Sequence, residues 1–142
     1  MLPAGGVLAL PLSQVRIVLK SFTSMDAKIT ILDHKISIQE VKKLADFWYG
    51  TMIKGAVDVE IGRVTLGGDY HIENSELLTS TGSKFEDIWG FNIRFEENPN
   101  GVLEFDSMVN IKPNFGNRSG NIGNAEIVKK ATEMIRKFID LK

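Results

Sequence analysis

The sequence predicts an α+β fold: an antiparallel β-meander of four or five strands packed against two helices as a two-layer sandwich. Three observations lead there. Apolar residues recur at helical spacing in two segments, one towards each end of the chain. Between them, several stretches alternate apolar and polar residues with period two, and strands of that kind bury one face and wet the other, the mark of an antiparallel sheet. Two amphipathic helices suffice to cover the apolar face. At 142 residues, 43% hydrophobic and 25% charged, the chain has the size and composition of one folded domain. Residues 28–142 are assigned to that domain and residues 1–27 to an N-terminal extension.

The extension contains "MLPAGGVLALPLSQ", whose apolar stretch has no basic residue before it and no small-residue cleavage site after it. It makes a poor secretory signal and is too short to span a membrane. In "QVRIVLKSF", Val15, Ile17 and Leu19 alternate with Arg16, Val18 and Lys20 as a strand would. Met25 reads as the natural start, with the preceding residues upstream of it.

"KITILDHKI" (28–36) is a short Ile-rich strand. "SIQE" follows as a capping box, with Ser37 as N-cap and Glu40 reaching back. Ile38, Val41, Leu44, Ala45 and Trp48 then carry an apolar stripe, and Gly50 ends the helix. In 55–68, Val57, Val59 and Ile61 oppose Asp58 and Glu60; a turn at Gly62-Arg63 returns the chain through Val64 and Leu66 as a hairpin. Gly67-Gly68 marks a bulge or a close backbone approach. "NSELL" (74–78) reads as one helical turn capped by Asn74. In 87–97, Trp89, Phe91, Ile93 and Phe95 share one face, with Asn92, Arg94 and Glu96 opposite. After the turn "NPNG", 101–113 places Leu103, Phe105, Ser107, Val109 and Ile111 inward, and Glu104, Asp106, Met108 and Asn110 outward. The last helix starts at Asn124 and carries Ile127, Ala131, Met134, Ile135 and Phe138 on one stripe. The sheet's other face then displays Asp58, Glu60, Asn92, Arg94, Glu104, Asp106 and Asn110 to water.

Charge and composition remove several function classes. No cysteine is present, so there is no disulfide, thiolate nucleophile or cysteine zinc site, a composition that fits the cytoplasm. The net charge of −1 conceals a strongly acidic middle: Gly55 to Ile111 holds three basic residues against eleven acidic ones. Such a body repels phosphate backbones and argues against nucleic-acid binding.

The blocks "VDVEIGRVTLGGDYH", "GSKFEDIWGFN", "EFDSMVNIKP" and "GNRS", in this order between two helices, resemble an uncharacterised family of small bacterial and archaeal proteins, a domain of unknown function. The likeness covers roughly residues 28–142. Glu73 stands where the resemblance leads one to expect an Asp, a change from one carboxylate to another. The resemblance supports a fold and supplies no mechanism.

Chemistry has two candidate seats. In "GGDYHIE", a strand over 69–73 would project Asp69, His71 and Glu73 from one face, and two carboxylates with an imidazole are ligands for a divalent metal such as zinc, manganese or iron. An exposed polar strand face explains the same residues without a metal. In "NFGNRSGNIGN" (114–124), glycines allow close backbone approach, so Asn117, Arg118 and Ser119 could form an anion nest with Arg118 as a fork. The ligand-free alternative is a long turn in which the Asn side chains bond their own loop and Arg118 pairs with Asp106 or Glu86. If the two seats meet, His71 serves as general base, Asp106 as its orienter and Arg118 as clamp. Ser107 and Ser119 lack a nucleophile elbow. Three classes stay open: a module binding a small anionic or metal-linked ligand near His71, Asp106 and Arg118; a metal-dependent or His/Asp-based hydrolase; and a homo-oligomeric interaction protein without small-molecule chemistry.

Overall fold

The computed structural model describes residues 28–142; the expected extension over 1–27 lies outside them. Ser37 caps the first helix as its sequence predicts: its hydroxyl accepts from the Glu40 N–H at 3.1 Å, and Glu40 accepts from the Ser37 N–H at 3.2 Å. Helix α1 (Ile38–Trp48) buries Ile38, Val41 and Ala45. It follows a two-residue strand, β1 (Thr30–Ile31), the only part of 28–36 that enters the sheet; Ile36 instead bridges in parallel to Ile139. Past Gly50, at φ +82°, strand β2 (Met52–Asp58) turns back through β3 (Arg63–Leu66) as the expected hairpin.

Positive φ at Gly67 and Gly68 turns the chain out of β3 into a helix, α2 (His71–Ser80). Strand β4 (Ile88–Arg94), β5 (Val102–Glu104) and helix α3 (Ala125–Phe138), capped by Asn124, complete the chain. The strands form one antiparallel sheet in the order β1-β3-β2-β4-β5. The fold is α+β. No helix among the described residues is long and apolar enough to cross a membrane.

On one face, Ile53, Val57, Phe91 and Ile93 pack with Val41 and Ala45 of α1 and Ala131 and Ile135 of α3. The other face departs from the expected open polar surface. Ala56 and Ile88 pack there against Leu78 of α2 and against Val109, and Asp58, Asn92 and Asn110 are buried. The expected turn at 74–78 is part of a helix long enough to cover this face. The expected strand over 101–113 ends at Glu104; Ser107 then caps a 3-10 turn (Met108–Asn110) by accepting from the Val109 N–H at 3.1 Å. The expected alternation of burial nevertheless holds to Val109, with Ser107 and Val109 buried and Met108 exposed, and fails at the next pair: Asn110 is fully buried and Ile111 is exposed.

Lys112 closes this segment from inside. Only 2% exposed, it donates to the Val109 carbonyl at 2.9 Å and lies 3.6 Å from the centre of the Phe85 ring and 5.0 Å from that of Trp89. Burial lowers its pKa from 10.5 to about 8, against the opposing pull of Glu86 and Asp87. Between those values the unfolded chain binds a proton that the folded chain does not, so stability rises with pH across that window. Lys112→Met should lack this rise. Urea unfolding at pH 8 and pH 10.5 should show the wild type gaining roughly 1–3 kcal/mol more than the variant; equal gains would refute the buried ammonium.

Candidate functional site

Helix α2 sets the first half of the site. Glu73 accepts from the N–H groups of Asp69 at 2.8 Å and Tyr70 at 2.9 Å, which fixes the entry to the helix. One residue on, Asn74 is fully buried; it donates to the Gly67 carbonyl at 2.8 Å and accepts from the Thr65 hydroxyl at 2.7 Å. Between these anchors the His71 ring reaches β4, where Nε2 lies 3.0 Å from the Phe91 carbonyl and 2.8 Å from Asn92 Oδ1.

The sheet register sets the second half. Lys54, Asn92 and Glu104 are cross-strand neighbours on one face. Asn92 donates to Glu104 at 3.0 Å and to the Asp106 carbonyl at 3.1 Å, while Arg94 Nε donates to the same Glu104 oxygen at 2.7 Å. Two acceptors facing the Asn92 amide nitrogen fix which end is oxygen, and that oxygen faces His71. Both partners of Nε2 are therefore acceptors, so neutral His71 carries its proton on Nε2 and a lone pair on Nδ1. Burial is the main influence on His71 and lowers its pKa; the bonds to Phe91 and Asn92 and the charge of Asp106 oppose the shift, and Lys54 adds to it.

Nδ1 has no partner among the described residues. The one buried side-chain nitrogen or oxygen without a hydrogen bond among the described residues is Asp58 Oδ2, so Nδ1 opens to solvent. Around it, Lys54 donates to the Asp69 carbonyl at 2.7 Å and lies 5.2 Å and 5.4 Å from the ring centres of Tyr49 and Tyr70. Tyr49 donates to the same carbonyl at 2.7 Å.

The loop after β5 joins the site at one end. A Cβ at Gly90 would stand 2.5 Å from Ser107 Oγ and 3.2 Å from His71 Cδ2, so the bare glycine makes room for both. The Ser107 N–H donates to the Gly120 carbonyl at 3.1 Å, and a Cβ at Gly120 would stand 2.8 Å from the Asp106 carboxylate. Residues 106–107 thus link His71 to the end of the Asn- and Gly-rich loop.

The predicted residues sort accordingly. His71 and Asp106 come within electrostatic reach of each other. Asn117 is buried, and its side chain serves the loop: it donates to the carbonyls of Asn110, Ser119 and Asn121 and accepts from the Gly123 N–H. Arg118 and Ser119 are exposed, and the ion pairs of the described residues leave Arg118 without a carboxylate. Asp69, His71 and Glu73 do not lie along a strand, because 71–80 is helical and Glu73 is committed to the helix start; no group of three or more His, Asp or Glu side chains arranged to hold a metal occurs among the described residues. The sequence reading missed Lys54, Tyr49 and the positioning role of Asn92. Lys54 carries a trace, a charge flanked on both sides by apolar residues in "MIKGAV" of β2.

A sequence model of a family of proteins of unknown function matches residues 30–138, more than half of the chain. No curated protein and no solved structure matches.

Proposed function

The chain belongs to that family, DUF5674, and we propose that it is a cytoplasmic protein that binds a small anionic ligand near His71, Asp106 and Arg118. The observation that carries this reading is the fixed His71 ring, held by two hydrogen bonds with Nδ1 left facing water. A histidine that only packs has no need of a three-residue support from Asn92, Glu104 and Arg94. The Lys54 ammonium near the ring and the unpaired Arg118 supply positive charge for an anion in an otherwise acidic body.

Thermal unfolding with added phosphate tests the reading. A ligand that binds only the folded state stabilises it by about 2.7 kcal/mol at a hundred times its Kd, so phosphate should raise the midpoint of the wild type. Arg118→Ala and His71→Gln should reduce or abolish the rise while leaving the midpoint without phosphate within a few degrees of wild type. No phosphate response in the wild type would remove the anion. A response to zinc or manganese that His71→Gln abolishes would replace it with a metal-linked ligand.

A further inference from the structure

The hydrogen-bond chain behind His71 narrows the ligand. Phe91 offers a backbone oxygen that cannot rotate. Asn92 cannot flip without turning its oxygen onto Glu104 and the Asp106 carbonyl, and Glu104 is itself held by Arg94. Every link fixes the next, and the last fixes the imidazole as an acceptor at Nδ1. A bare carboxylate oxygen would set lone pair against lone pair there, whereas inorganic phosphate keeps an O–H at neutral pH that can donate to it.

We infer, resting on the anion-binding reading above, that the ligand carries a hydroxyl group beside its negative charge and that His71 Nδ1 accepts that hydroxyl's hydrogen. Lys54 complements the arrangement. Its ammonium gives one hydrogen bond to the Asp69 carbonyl, which leaves two N–H groups for the anionic end. Asn92 acts through His71 and is a positioning residue.

The chain contains two histidines, so His34→Gln leaves His71 as the single imidazole in a long-range proton–nitrogen NMR spectrum. At neutral pH the spectrum should show a protonated Nε2 and a bare Nδ1. Glycolate, a carboxylate with an adjacent hydroxyl, should shift the Nδ1 resonance and bind at least about tenfold more tightly than acetate, because a site built around a hydroxyl rejects an analogue lacking it. A proton on Nδ1 in the free protein, or equal affinity for glycolate and acetate, would overturn the inference. Equal affinities together with a phosphate response lost in Arg118→Ala would remove the hydroxyl alone. Silence towards all three anions would remove the anion-binding reading as well.

Discussion

Gly55→Ala should cost at least about 3 kcal/mol, a large share of the 5–15 kcal/mol that holds a domain together. Gly55 is paired with Leu66 on one side and Phe91 on the other, in the middle of the sheet. A Cβ there would overlap the backbone oxygen of Thr65 and stand 2.5 Å from Cζ of Phe91. The ring is fully buried in the main core, so it has nowhere to swing. The Thr65 oxygen belongs to the neighbouring strand and moves only if the pairing of β2 with β3 loosens. Denaturant unfolding measures the loss, which should appear as a midpoint lower by roughly 10 °C in a thermal melt. Adding Phe91→Leu to the variant should not restore it, since the Thr65 clash remains. A loss below about 1 kcal/mol would mean that this register is wrong.

The same close packing explains which parts of the fold can be read from the sequence. Helices α1 and α3 announce themselves because their buried residues are apolar and their caps are side chains of suitable type, Ser37 and Asn124. Helix α2 does not. Its buried residues are Asn74, Ser75 and Leu78, so the face that meets the sheet has no apolar stripe for a periodicity argument to find. Its anchors are the Thr65 hydroxyl and the Gly67 carbonyl, bonded to Asn74 from the end of β3 and the turn that follows it, polar contacts that no apolar periodicity reports. Because α2 is hidden, the metal geometry of Asp69, His71 and Glu73 rested on a strand that does not form. The convergence of His71 with Asp106 was legible only as a conditional, since it depends on where the chain goes after Glu104. There the alternation of 101–113 misleads: it persists in the residues after the ladder has ended, and Asn110, which it places in water, is the side chain that replaces the missing strand.

Asn110 gives the second large effect. Strand β5 pairs with β4 only from Asn92 to Arg94, which leaves the Gly90 backbone without a strand neighbour on that side. The Asn110 amide takes that place: Oδ1 accepts from the Gly90 N–H at 2.7 Å, and Nδ2 donates to the Gly90 carbonyl at 3.1 Å and the Gly120 carbonyl at 2.9 Å. It mimics a peptide unit of an absent strand and ties the loop to it at the same time. Asn110→Ala strips the Gly90 N–H and carbonyl of their partner, while the Gly120 carbonyl keeps the Ser107 N–H; at about 1–3 kcal/mol for each group that water cannot reach, a total loss of roughly 2–5 kcal/mol is expected. Asn110→Asp should do no better despite its matching shape, because it keeps the bond to the Gly90 N–H and turns a carboxylate oxygen onto two carbonyls. Hydrogen exchange at the Gly90 amide separates a local from a general effect. It should quicken by at least about a hundredfold in both variants, and by more than the amides of α1. If Gly90 stays as protected as α1, Asn110 is not the missing strand. Since Gly90 lies against His71 and Gly120 against Asp106, both variants should also weaken the phosphate response, although neither removes a residue of the proposed site.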